Sequence, residues 1–312
     1  MLLLVDGNNL MWRSLYGGDP LHRPSDGATT NATLNFVQAL AAIISRYKPD
    51  RGVVAFDGPG PSFRVLLAPD YKGTREREET TPENAKQIEW MRRAVVLTGM
   101  TCTDSAPYEA DDVLATLALS EPGRVVVASD DKDLTALVRG NRIIIHRFRD
   151  GMEVDEDTTR KKWGVAPTQV SDLLAMAGDA IDNHAGIAGV GSQRAAKLLK
   201  AHGSIEKILL AGPSVQGVRW ARIASSAPYM LAMAATTRFI RAQVPKPHEL
   251  LTDWQYSIAN VIAALEAPEA LDRFCRARRL NIRRVVADTE ICSKNPILAI
   301  APRRPVFGKR NP

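Results

Sequence analysis

Nine acidic side chains are spaced along this chain in a way that could hold divalent cations. Asp6 follows the apolar run Leu2 to Val5, Asp57 follows Val53 to Phe56, and Asp131 and Asp133 follow Val125 to Ala128, so each stands where a β-strand would end. In open α/β sheets the carboxyl ends of the strands share a crevice, and acids delivered there from distant segments converge. Glu109, Asp111 and Asp112 open the segment EADDVLATLAL, and Asp179 and Asp182 lie three apart in GDAIDN, a spacing that puts both on one side of a helical turn. Packed carboxylates repel one another unless cations hold them. Oxygen ligands without Cys or clustered His select two magnesium or manganese ions rather than zinc. Such a pair suits phosphodiester hydrolysis, because it acidifies a bound water and stabilises charge on both the attacking and the leaving oxygen, with no protein nucleophile required.

Taken singly, none of these acids decides anything. Acids in a first helical turn are good partners for the helix dipole, and an Asp-x-Asp pair is common on solvated turns. Asp6 and Asp57 carry more weight, because each ends an apolar strand instead of sitting in a polar loop. Other chemistries are missing their signatures: there is no Gly-rich phosphate loop with Lys-Ser or Lys-Thr, and no Gly-x-Ser-x-Gly elbow.

The elements that must deliver these acids alternate. Strand-like runs at Leu2 to Val5, Val53 to Phe56, Val125 to Ala128 and Ile143 to His146 are separated by helical periodicity over Thr33 to Tyr47, Asn84 to Thr98 and Glu109 to Leu119, which predicts a parallel sheet in an α/β core. From Pro69 to Glu83 the chain is polar and highly charged, an excursion from that core. After Asp150 the strand signal fades, and from about Pro167 to Ala299 helical periodicity is broken by Gly-rich turns. The boundaries are therefore a core over 1–165, a helical region over 166–300 and a basic, Pro-rich flexible tail over 301–312.

At 312 residues the chain can bury one large core or two packed ones. Its net charge of +6 understates the basic character: if ions neutralise the nine acids, 41 Lys and Arg face 26 remaining Asp and Glu, leaving +15. A polyanion is the expected partner, and nucleic acid the first suspect. Cys102, Cys275 and Cys292 are scattered, which indicates neither a disulfide framework nor a zinc site. The opening apolar run is cut by Asp6, too early for a signal peptide, and no stretch reaches membrane-spanning length, so a cytoplasmic, non-secreted protein is expected.

Six segments occur in the order found in 5′ nucleases: VDGNNL (Val5 to Leu10), AFDGPGPSFR (Ala55 to Arg64), YKGTR (Tyr71 to Arg75), YEADD (Tyr108 to Asp112), SDDKDL (Ser129 to Leu134) and GDAIDNHAGIAGVG (Gly178 to Gly191). The chain resembles the flap endonuclease and 5′-3′ exonuclease family, in particular the 5′ nuclease domain of bacterial DNA polymerase I and the free-standing bacteriophage 5′ nucleases, over about residues 1–210. The resemblance implies a PIN-like core, two divalent ions, and removal of 5′ flaps or 5′-terminal nucleotides from branched DNA. It implies that Asp6, Asp57, Glu109, Asp111 and Asp131 mainly hold the ion nearer the scissile phosphate, and that Asp112, Asp133, Asp179 and Asp182 complete the second site.

Lys72 and Arg75 match the family's catalytic basic pair, which can stabilise negative charge gathering on the phosphate in flight. Tyr71 beside them is expected to touch DNA. The segment after the pair forms an arch in relatives, so a short arch or lid is expected near 73–108. The turn carrying Gly186, Gly189 and Gly191 resembles a helix-hairpin-helix near 173–202, in which backbone N–H groups meet phosphate without reading bases. Arg194, Lys197 and Lys200 follow at helical spacing and would extend that contact. The resemblance also implies a potassium ion at this turn. Relatives usually carry Pro at the place of Ala185, Thr-Ala at Ala195-Ala196 and a small residue at Asp130, where an extra acid could compete for metal. His184, a lone His beside a turn, reads as a surface residue. Arg276, Arg278, Arg279, Arg283 and Arg284 fit either a duplex contact or a solvated helix face.

Three functions compete on these residues: a structure-specific 5′ nuclease, a DNA-junction binder without turnover, and a PIN-type ribonuclease. A near-complete acid set disfavours the binder, and the Gly-rich hairpin favours a duplex DNA partner. The expected partners are DNA with 5′ flaps, nicks, branches or free 5′ ends, RNA within RNA–DNA hybrids, and a polymerase supplied as a separate chain. A monomer away from membranes is expected.

Overall fold

The computed structural model describes residues 1–74, 80–239, 242, 244, 246–281 and 283. The apolar runs become strands covered on both faces, which is why they are apolar throughout and do not alternate. β1 (Leu2–Asp6), β2 (Arg51–Phe56), β3 (Thr101–Asp104), β4 (Val125–Ala128) and β5 (Ile143–His146) run parallel in the order β3-β2-β1-β4-β5. In the central strand, Leu3 and Val5 face one core and Leu2 and Leu4 the other. The register sets Val5 beside Val54 and Ala128, so Asp6, Asp57 and the loop after Ala128 leave the sheet at one edge.

Two antiparallel additions escaped the sequence reading: β6 (Glu153–Val154) pairs with β5, and β7 (His248–Glu249) pairs with the start of β2. Strands two residues long carry no alternation for a pattern to reveal.

Helices α1 (Gly7–Leu15), α2 (Asn31–Tyr47), the short α3 (Phe63–Leu67), α4 (Pro82–Leu97) and α5 (Ala110–Ser120) connect the strands. On one face α1, α2 and α4 bury Leu10, Phe36, Leu40, Trp90 and Met91; on the other α5 buries Val113 and Leu114. The arch expected near 73–108 is thereby corrected: α4 and β3 fill most of that interval and are core elements, with Trp90, Met91, Ala94 and Val95 buried. Residues 75–79, including Arg75, lie outside the described residues.

Beyond α6 (Glu156–Trp163), helices α7 (Val170–Ala177), α8 (Ser192–His202), α9 (Ile205–Ala211) and α10 (Trp220–Thr237) enclose a second core around Leu173, Leu198, Leu199, Ile205, Ile208 and Ile223. α11 (Trp254–Ala264) and α12 (Pro268–Arg278) do not join it. Their Ile258, Ile262, Leu271 and Phe274, with Leu265 between them, belong to the core of the sheet, against α2 and α4. The helical region expected over 166–300 is thus two regions, one of them part of the first domain. The 301–312 tail, Arg284 and Cys292 lie outside the described residues.

Candidate metal centre

At the carboxyl edge of the sheet, Asp6, Asp57, Glu109, Asp111, Asp131, Asp133 and Asp182 line one cavity of about 160 Å³, with Lys72 and Arg64 on its wall. Asp179 joins through a cluster in which Asp133, Asp179 and Asp182 each offer an oxygen within 4.8 Å of the others. Strand ends and helix starts hold the first group in place. Asp6 caps α1, accepting from the Asn9 N–H at 2.9 Å, while the Ser129 hydroxyl donates to its other oxygen at 2.7 Å. Asp57 accepts from the Asn8 side chain at 2.7 Å and from the Ala110 N–H at 2.8 Å, which ties the end of β2 to the first turn of α5. Asp131 accepts from the Asp133 N–H at 2.9 Å, and its own N–H donates to Ser129 Oγ at 3.0 Å.

Asp179 and Asp182 do not sit on a helix. They flank a tight turn closed by paired backbone bonds between Asp179 and His184, at 2.7 and 2.8 Å, in which Asn183 takes a left-handed φ of 60°. The turn aims both carboxylates inward, so the expected proximity survives although its helical reason does not. His184, read as a surface residue, is buried and stacks on Tyr71 at 5.6 Å.

Crowding and burial show in the protonation equilibria. Burial, with Asp131 and Asp57 adding repulsion, pushes Asp6 up to about 7. Burial and Asp131 raise Asp133 likewise to about 7, and Asp111 is pushed well above the ordinary carboxylate range by burial, Asp131 and Asp6. Glu109 runs the other way: burial would raise it, but Lys72 and Arg64 outweigh that and hold it low. A site that resists the charge of its own acids this strongly is matched to cations. The donors fit divalent ions on a second count, since Asp133 Oδ1 is buried without a hydrogen-bond partner and the whole set is oxygen.

Asp112 departs from the expectation. Its two oxygens accept from Arg64 at 2.6 and 2.8 Å, and the pair is sealed, with Asp112 0% and Arg64 2% exposed. Asp112 also accepts from the Glu109 N–H at 3.1 Å, completing a capping box at the start of α5. It is therefore a structural anion with its lone pairs committed, outside the cavity.

Tyr71 has a second role, as a support for Glu109. It is largely buried, and its hydroxyl donates to Glu109 Oε2 at 3.0 Å, so it props a carboxylate at the wall that the cavity shares with the adjoining cleft. Lys72, held at a left-handed φ of 54°, directs Nζ to the same oxygen at 3.1 Å. Ser62 donates to the other Glu109 oxygen at 3.0 Å. Arg64 and Ser62 lie inside the quoted AFDGPGPSFR segment, yet only the fold brings them to Glu109 and Asp112. Asp130 does not compete for metal: it accepts from the Arg149 N–H at 3.0 Å and lies 3.7 Å from Arg13.

In the hairpin, Gly186 is required by the chain itself, because a Cβ there would stand 2.4 Å from the Gly178 nitrogen. Gly191 is different: its φ is −83° and a Cβ would meet nothing within 4 Å, so the fold leaves this helix start bare without needing to. Arg194, Lys197 and Lys200 are exposed on α8, while Ala195, Ala196, Leu198 and Leu199 face the core. Arg276 pairs with Asp272, and Arg278 donates to Ser45 at 2.9 Å and covers Phe274, which commits two members of the C-terminal basic cluster to the fold.

Comparison with known proteins agrees with this geometry. The family model described as 5′-3′ exonuclease, N-terminal resolvase-like domain, matches residues 1–164, and that described as 5′-3′ exonuclease, C-terminal SAM fold, matches 165–250. The chain belongs to the 5′-3′ exonuclease family. It is 38% identical over 212 residues to the 5′-3′ exonuclease of Aquifex aeolicus, covering 67% of this chain and 72% of that one. It is 35% identical over 222 residues to Bacillus subtilis DNA polymerase I, covering 69% of this chain and 25% of the polymerase, so it spans about a quarter of such relatives. The fold of this 5′-3′ exonuclease family member is shared with a bacteriophage T5 protein co-crystallised with metal ions, at a TM-score of 0.64 and 19% identity over 91% of this chain and 98% of that one. It is also shared with the catalytic core of Rad2 in complex with a DNA substrate, at 0.57 and 15% identity, over 88% and 92% of the two chains. The family models stop at residue 250, before α11 and α12.

Proposed function

We propose that the chain is a structure-specific 5′ nuclease, dependent on two magnesium or manganese ions, that removes 5′-terminal nucleotides and 5′ flaps from DNA during replication or repair. The observation that carries this reading is the convergence of eight carboxylates, delivered by strand ends, α5 and the Asp179–His184 turn, around one small polar cavity. Asp6, Asp57, Glu109, Asp111 and Asp131 would hold the ion nearer the scissile phosphate, and Asp133, Asp179 and Asp182 the other. When bound, the ions supply an activated water and charge stabilisation at phosphorus.

The residues of the chain do the rest. Lys72, fixed on Glu109, keeps a positive charge at the cavity wall where a phosphate would gain negative charge, and Arg75 is assigned the same role from its motif. The cavity shares Asp57, Tyr71, Lys72 and Glu109 with a cleft of about 1150 Å³, at whose wall Trp12 and Tyr16 stack at 5.9 Å. Those rings, 38% and 67% exposed, offer a surface for unpaired bases next to the acids. Away from the acids, the bare start of α8 at Gly191, with Arg194 and Lys197 beside it, suits the sugar-phosphate backbone of a duplex, with potassium bound at the Gly186–Gly189 turn.

The same reading includes RNA in RNA–DNA hybrids as substrate, a polymerase acting as a separate chain, a monomeric state and a cytoplasmic location. The test is a 5′-labelled flap duplex incubated with the protein and Mg2+, with products sized at nucleotide resolution and a matched RNA flap alongside. Cleavage near the branch that EDTA abolishes is the expected result. Absence of metal-dependent cleavage on both flaps overturns the reading, and preference for the RNA flap replaces it with a ribonuclease.

A further inference from the structure

The SDDKDL segment places a lysine between two acids of the cavity, and its side chain is not directed to solvent. Lys132 Nζ lies 2.5 Å from Asp179 Oδ2 and 3.5 Å from Asp133 Oδ1, two members of the Asp133–Asp179–Asp182 cluster. Its side chain is 26% exposed and those of its partners 16% and 6%, so water screens the contacts only in part. An ammonium is a compact point charge with three donors, able to bridge carboxylates that point at one another. It reaches two of the three carboxylates that could hold a divalent ion at this cluster.

We infer that Lys132 is a built-in counter-ion of the Asp133–Asp179–Asp182 cluster, which a divalent ion must displace in order to bind there. The inference rests on the metal-dependent reading above and extends it to the order of loading. Without ions, Lys132 relieves the repulsion that would push the Asp179 turn away from the loop after β4. With ions, moving Nζ aside costs work chiefly at this site, because Nζ lies against Asp133 and Asp179, so the cluster fills after the group formed by Asp6, Asp57, Asp111 and Asp131. Lys132 is a positioning residue in this account, acting through the acids and not on the substrate.

The experiment is a calorimetric titration of the full chain with Mn2+ at low salt, comparing the native sequence, Lys132→Met and Lys132→Arg. Two classes of site are expected in the native chain, and Lys132→Met should tighten the weaker class about tenfold. Lys132→Arg, which keeps the charge, should stay within about threefold. A purely structural role would weaken the site in Lys132→Met, so the direction of the change discriminates. The rise in melting temperature on adding Mn2+ should also be larger in Lys132→Met than in the native chain. If Lys132→Met does not fold without metal, Lys132→Gln folded in Mn2+ and titrated with a chelator reads the same affinity. A weaker class left unchanged or loosened in the neutral variants overturns the inference. Absence of saturable Mn2+ binding in the native chain would instead overturn the metal reading beneath it.

Discussion

The sealed pair between Arg64 and Asp112 permits a quantitative test of which acids belong to the fold and which to the chemistry. Both oxygens of Asp112 are taken, at 2.6 and 2.8 Å, and neither residue is more than 2% exposed. Breaking such a pair from one side strands a buried charge, at a cost of about 3–5 kcal/mol, so Arg64→Met and Asp112→Asn should each destabilise the chain by that order. Asp112→Asn also weakens the capping box, which adds roughly 0.5–1 kcal/mol. The double variant strands no charge within the pair, leaving Glu109 to Lys72 alone, and should recover at least about 2 kcal/mol of the summed loss. Urea denaturation in EDTA, followed by circular dichroism, measures all four proteins. Mn2+ titration of Asp112→Asn supplies the second arm: affinity should stay within about twofold, against a loss of tenfold or more for Asp131→Asn. Strictly additive costs, or an Asp112→Asn protein that loses Mn2+ as Asp131→Asn does, would refute the assignment of Asp112 to the fold.

Three further outcomes follow from the same geometry. Lys72→Met removes the charge 3.1 Å from Glu109 and should lower single-turnover cleavage of a flap by about 10²–10³-fold while leaving flap binding within a few fold. Because Asp6 and Asp133 are pushed up to about 7, the folded chain retains protons that the unfolded chain has released. In EDTA the melting temperature should therefore fall as pH rises from about 5 to about 7.5, and the gain from added Mg2+ should grow over the same window; a metal-free chain that gains stability there contradicts the buried-acid argument. Gly191→Ser should leave stability within about 0.5 kcal/mol and weaken duplex binding, whereas Gly186→Ala, with no room for its Cβ, should cost more than about 2 kcal/mol; equal effects in melting and gel-shift assays would remove the distinction.

What the sequence revealed and what it hid divide along a physical line. Leu2 to Val5, Val53 to Phe56 and Val125 to Ala128 announce themselves because strands covered on both faces are apolar throughout, and an acid directly after such a run stands out. Eight of the nine acids reach the same site for that reason or through a helix start and a tight turn. Asp112 is set apart by Arg64, 48 residues away, a pairing invisible in local spacing. The burial of His184 was likewise hidden, since it depends on the stack that His184 forms with Tyr71 across the fold. The destination of α11 and α12 was equally hidden, since amphipathic periodicity says that a helix has an apolar side but not which core receives it.

That destination has a consequence for how the molecule is made. The sheet domain is discontinuous along the chain: β7 completes a pairing with β2, and Ile262, Leu265 and Phe274 fill space beside Trp90 and Phe36. During synthesis the hairpin helices, drawn from one continuous stretch, can consolidate while the ribosome is still extending the polypeptide. The sheet layer that packs against α11 and α12 keeps part of its interior open until residues near 275 emerge, so that side of the core closes well after the strands it covers have been made.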